Sequence, residues 1–185
     1  MRELKSINRY GQQAVVFGLA AAGMLLATQV WANDPAELSD VEIAHVAYTA
    51  DNLDIRYAHL ALAKSKNPEI HKFAKTMIRD HEAVNEQALA LLKKLGAQAK
   101  DNFLSQKLNQ DGDAIIAKFS ALSGVEFDRA YAENELAYHK AVNALVGDVF
   151  IPNIENAEVK ALFEEGLKIF KAHEAHAAMM VKALK

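Results

Sequence analysis

PEIHKFAKTMIRDHEAVNEQALALLKKLG, residues 68–96, reads as one long amphipathic helix with a histidine where a leucine would pack better. At about 100° per residue, Ile70, Ala74, Met77, Asn85, Ala88, Leu92 and Leu95 fall within about 40° of His81. His81 is thus the centre of the apolar stripe, and Asp80 flanks it at the edge. Pro68 suits a first turn, where a backbone N–H has no helical partner. Lys93 and Lys94 suit the carbonyl end of the helix dipole, and Gly96 is a natural stop. An imidazole buried in such a stripe needs polar partners.

Upstream, Ser39 or Asp40 can cap a first helix running to about Lys66, with Ile43, Ala47, Ala50, Tyr57, Ala58 and Ala61 as its stripe. Asp54 falls at the centre of that stripe. The Lys66-Asn67-Pro68 break is tight enough to make the first two helices antiparallel neighbours. Downstream, residues 97–124 are polar at first. Asp111-Gly112-Asp113 reads as a turn and helix start, giving a short helix over residues 113–122 that Ser123-Gly124 ends. This connection is long enough to cross the length of a bundle.

A third long helix spans residues 125–149, where Asp128, Tyr131, His139, Val142 and Val146 lie within about 40° of Glu135. Gly147 to Asn153, with Pro152, is expected to break it. Asn153 or Asn156 can cap a fourth helix reaching the C-terminus. Val159, Leu162, Gly166, Ile169, Ala177, Met180 and Leu184 surround His173 on its stripe. No segment reads as a strand, a repeat or a low-complexity tract.

Each long helix therefore carries an ionisable residue in its apolar stripe: Asp54, His81, Glu135 with His139, and His173. With two antiparallel hairpins joined by a crossover, and the second and third long helices parallel, all five lie roughly 15–22 Å from one end of the bundle. An up-down-up-down order would put some of them at other levels. Carboxylates and imidazoles converging inside four helices are how ferritin-like proteins hold iron or manganese. Oxygen and nitrogen donors without sulfur suit Fe, Mn, Zn or Cu(II). The di-metal pattern wants Glu-x-x-His on two helices, and here Ile78 and Phe170 stand three residues before His81 and His173. The same five residues also fit a buried hydrogen-bonded network that fixes register.

The chain begins with a basic Arg2, Lys5 and Arg9 region, an uncharged apolar run AVVFGLAAAGMLLA at residues 14–27, and Val30-Trp31-Ala32. This reads as a bacterial signal peptide over residues 1–32, removed after Ala32, with the periplasm as destination and no stable membrane insertion afterwards. The remaining residues 33–185 make one domain. The signal holds three Lys/Arg and one Asp/Glu of the chain's 21 and 24, so 18 and 23 remain and the net charge becomes −5. No basic patch supports nucleic-acid binding. The absence of cysteine removes disulfides and thiolate sites.

His45, His59 and His71 read as surface histidines. HEAHAAMM, residues 173–180, offers imidazole and thioether donors for Cu(I), although methionines at helical spacing usually fill cores. Tyr57, Phe127, Tyr131 and Phe170 read as core aromatics. No catalytic residue is assigned: a Ser nucleophile with a base, a phosphate-binding glycine loop and a zincin motif are all missing.

From about Leu38 to Leu184 the sequence resembles the bacterial domain-of-unknown-function family 4142. The resemblance is carried by LDIRYAHLALAKS around Asp54, FAKTMIRDH ending at His81 and SGVEFDRAY ending at Tyr131. His139 follows eight residues later and His173 stands near the end. It implies an exported, ferritin-like bundle and supports roles for Asp54, His81, Asp128, Tyr131, His139 and His173. Glu135 stands where the family more often has an apolar or amide residue, and Tyr138 where an acidic residue often precedes the histidine.

The sequence thus predicts an all-α, ferritin-like four-helix bundle with a long crossover containing a short helix. Its central site is Asp54, His81, Glu135, His139 and His173, with Asp80, Asp128 and Tyr131 in support. Two functions fit: a periplasmic metal-linked or envelope-stress protein, or a non-catalytic envelope protein whose buried histidines are structural. The sequence names no protein partner.

Overall fold

The computed structural model describes residues 34–185; the predicted signal peptide, residues 1–32, lies outside the described residues. After a short 3-10 turn at Pro35–Glu37 come α1 (Asp40–Lys64), α2 (Pro68–Lys94), α3 (Phe103–Ala121) and α4 (Gly124–Ala144). A π-helical turn, Leu145–Phe150, and a one-turn α5 (Ile151–Asn153) extend α4, and α6 (Ala157–Ala183) completes the bundle. No strand occurs among the described residues.

The helices start where side chains satisfy free N–H groups. Ser39 and Glu42 form a capping box at α1, and the Asn67, Asn102 and Asn156 side chains accept from the first N–H groups of α2, α3 and α6. Pro68 opens α2, as its sequence requires.

Contacts at the two ends set the topology. Lys64, at the end of α1, lies over the Phe127 ring near the start of α4 and donates to the Ser120 carbonyl at the end of α3. At the opposite end Asn102 donates to the Glu42 carbonyl, and the Asp40 carboxylate accepts from the N–H groups of Glu155 and Asn156. So α2 and α4 run parallel, α3 is the crossover, and α1, α2, α4 and α6 form a four-helix bundle.

Two expectations are corrected. The crossover helix is longer than residues 113–122, because Asp111-Gly112-Asp113 is helix interior rather than a turn. Gly112 is small for packing: a Cβ there would sit 2.3 Å from a methyl of Leu53, which is how α3 lies close on α1. Gly147 does not break the third long helix either, and the chain stays helical to Asn153 before turning extended at Ile154. The wider π turn precedes Pro152, whose ring and missing N–H do not suit an unbroken α-helical ladder.

The core has two apolar parts. One, nearer the α1–α2 turn, is built on Tyr57, Phe73, Phe119, Phe127 and Tyr131; their rings meet mostly edge to face at 5.7–6.2 Å. The other holds Ile43, Val46, Val146, Phe150, Ile154 and Val159. Between them lies a layer of buried polar side chains: Asp51, Asp54, His81, Glu135, His139 and His173.

Candidate metal centre

Asp54 comes from α1, His81 from α2, Glu135 and His139 from α4, and His173 from α6, each at the position where helical periodicity points it inward. All five are at most 4% exposed, and Asp54 and Glu135 are fully buried. The ring centroids of His81, His139 and His173 are 5.4–5.9 Å apart. One nitrogen from each of the three rings lies within 4.8 Å of the others, and one donor atom each from Asp54, Glu135 and His139 does the same. Phe170 stacks on His81 at 4.8 Å and covers that ring.

Each imidazole is held from behind. His81 Nδ1 donates to Asp51 Oδ1 at 2.7 Å. His139 Nδ1 donates to the Glu135 carbonyl at 2.9 Å. His173 Nε2 donates to Asp80 Oδ2 at 2.9 Å, and Asp80 Oδ1 accepts from exposed Arg79. A carbonyl or carboxylate can only accept, so each bond fixes which nitrogen carries hydrogen. The opposite nitrogens are His81 Nε2, His139 Nε2 and His173 Nδ1. All three are buried; His81 Nε2 faces Asp54 Oδ2 at 2.6 Å, while His139 Nε2 and His173 Nδ1 have no hydrogen-bond partner among the described residues.

Asp54 organises the charge. Its Oδ2 is 2.6 Å from His81 Nε2 and 3.5 Å from His139 Nε2. At 2.6 Å the His81 ring and the Asp54 carboxylate form a buried ion pair. Burial pushes the Asp54 carboxyl up, but the His81 charge outweighs it and holds Asp54 ionised, well below the usual range. Burial likewise disfavours the His81 cation, yet the Asp54 charge and the Asp51 hydrogen bond raise that ring to about 10. His81 is therefore an imidazolium held by Asp54, while burial raises the neighbouring Asp51 carboxyl above its usual range.

The remaining groups stay neutral. Burial, then the Asp54 charge, raises Glu135 well above the ordinary carboxylate range. Burial lowers His139, and lowers His173 to about 4. Burial also raises the Tyr131 phenol, with Glu135 and Asp54 adding to the shift.

Of the supporting residues, Asp80 joins the cluster through His173 and Tyr131 borders it. Asp128 is buried on the same stripe, but seven residues and about 10 Å of helix rise before Glu135; its Oδ1 meets no hydrogen-bond partner among the described residues. Sequence reasoning missed Asp51. The signal was there: Asp51 and Asp54 are three apart in DNLD and share a helix face. Tyr138 donates to the Ala50 carbonyl at 2.9 Å and packs edge-on against His139.

Outside the centre, His59 is exposed as expected. His45 and His71 are half-buried instead, facing Asp101 and the Ser65 carbonyl. His176 packs on Phe73 at 5.0 Å, while Met179 is exposed and Met180 is buried. Of the HEAHAAMM donors, Met179 thus lies off the face that His173 and Met180 share.

The fold is similar to a solved structure entitled "CopM in the Cu(II)-bound form", at 15% identity and a TM-score of 0.64, covering 80% of this chain and 99% of that one. No curated protein matches the sequence. The sequence model of the family described as "Domain of unknown function (DUF4142)" matches residues 26–180, and the chain belongs to that family.

Proposed function

We propose that this chain is an exported periplasmic protein that binds one transition-metal ion at the bundle centre. The ion is held by His81, His139 and His173, with Asp54 and Glu135 beside them. The observation that carries this reading is the set of three imidazoles fixed from behind by Asp51, the Glu135 carbonyl and Asp80. Such outer acceptors orient metal-ligating histidines and raise their basicity. A purely structural network would be expected to satisfy its inner nitrogens within the protein.

The donor chemistry suits Fe, Mn, Zn or Cu(II), and the neighbour of similar fold is a Cu(II)-bound protein by its title. Export rests on the N-terminal sequence pattern. Among the described residues no helix is long and apolar enough to cross a membrane. A link to envelope stress is consistent with this reading, and the composition gives no support for nucleic acid as a partner.

Metal analysis of protein purified from the periplasm tests it, with intact mass locating the mature N-terminus, expected at Asn33. About one equivalent of metal is expected, lost in a folded His81→Ala variant. The rival reading is a non-catalytic envelope protein with a buried polar network, favoured by the contact of both His81 nitrogens with carboxylates. A protein that takes up no Cu(II), Zn(II), Mn(II) or Fe(II) selects the rival.

A further inference from the structure

Two donor triads overlap at the centre. His81, His139 and His173 offer three nitrogens, while Asp54, Glu135 and His139 offer two oxygens and one nitrogen. His139 belongs to both. Its Nδ1 is committed to the Glu135 carbonyl at 2.9 Å, an acceptor with no proton to give in return. Only Nε2 is left to ligate, and it lies 3.5 Å from Asp54 Oδ2. One lone pair cannot serve two ions. Ligating on both sides of the ring would strip the Nδ1 proton and break the carbonyl bond.

We infer that the centre is a single-ion site with two alternative seats, a nitrogen seat for borderline ions such as Zn(II) and an oxygen-rich seat for hard ions such as Mn(II), with His139 shared between them. The inference rests on the metal reading above and adds the class of ion each seat takes. Imidazole suits Zn and Cu, whereas carboxylate oxygens suit Mn. The oxygen seat rests on geometry: Asp54 and Glu135 are both fully buried and each brings a carboxyl oxygen within 4.8 Å of a His139 nitrogen.

The wild-type chain gives the first test. Mn(II) bound to the protein is followed by its electron paramagnetic resonance signal while Zn(II) is added. One Mn(II) should be released per Zn(II) bound, and native mass spectrometry should never show more than one ion per chain. A species holding both ions, or Zn(II) binding that leaves Mn(II) in place, overturns the inference. The second test uses His173→Gln and Glu135→Gln, with circular dichroism confirming the fold. His173→Gln should weaken Zn(II) at least about tenfold and leave Mn(II) within about twofold, and Glu135→Gln should do the reverse. Equal losses for both ions in both variants would mean one undivided seat and would also overturn it. Wild-type protein that binds neither ion sinks the metal reading itself, a result distinct from each of these.

Discussion

Asp54→Asn is the most informative single change, because it removes one charge and almost no volume. Asp54 is fully buried and its Oδ2 lies 2.6 Å from His81 Nε2. Removing one partner of a buried pair costs about 3–5 kcal/mol. Asp51 still holds His81 Nδ1 at 2.7 Å, so the lower end, about 3 kcal/mol, is expected near pH 6. The pH dependence follows from the same pair. His81 is raised to about 10 in the fold, above its unfolded value of about 6.5. Its stabilisation is therefore complete below about pH 6.5 and is lost as pH rises towards 10. Asp54 is depressed, so its contribution is present above about pH 4 and fades as pH falls through the folded value. The difference between wild type and variant should form a plateau between roughly pH 4 and 6.5. It should shrink above that by at most about 1.4 kcal/mol per pH unit per proton. Urea melts with a chelator present, from pH 5 to 9.5, measure it. A difference below about 1 kcal/mol at pH 6, or one that stays flat to pH 9.5, would refute the ion pair.

The other outcomes can be read with similar tools. His81→Ala and His173→Ala should each destabilise clearly, and the double variant should cost less than their sum by at least about 0.5 kcal/mol, since the two share one layer; strict additivity in denaturant melts would deny that they do. Zn(II) binding near pH 6 should release about one proton, that of His81, seen by calorimetry in buffers of different ionisation enthalpy; binding without release would place the ion elsewhere. Gly112→Val should cost about 2 kcal/mol or more, because Leu53 is buried where the new side chain must go, and an unchanged urea midpoint would show that α3 can lift from α1.

The stripes were legible because a polar residue at the centre of an apolar face breaks a strong period. Asp54, His81, Glu135, His139 and His173 could all be found that way, and their common level then favoured the crossover order. The axial coordinate was less visible. Asp128 shares the stripe of Glu135 yet lies two turns away, since a projection down the helix discards height. Asp51 sits off the centre of its stripe and is not singled out by the periodicity, although a side chain there reaches His81 on the neighbouring helix. The start of α3 was hidden by Asp111-Gly112-Asp113, whose composition signals a turn; tertiary contact with Leu53 explains the glycine instead. Gly147 misled in the same way.

On the metal reading, the centre's stability and its metal affinity would both turn on the same carboxylate. A buried ionised Asp54 needs a positive partner, and without metal the His81 imidazolium supplies it at 2.6 Å. A divalent ion seated among the inner nitrogens would supply that charge in its place, and His81 must then give up its Nε2 proton to ligate. Proton and metal therefore compete for one position, so affinity should rise with pH as the cost of expelling the proton falls. The buried ion pair and the outer hydrogen bonds satisfy most of this polar layer between the two apolar clusters. With Asp51, the Glu135 carbonyl and Asp80 holding the outer nitrogens, exchange of the His81 Nε2 proton for a cation would change chiefly the inner atoms. Replacing those outer acceptors should therefore loosen the geometry of both states, whereas replacing Asp54 or Glu135 should shift the balance between them.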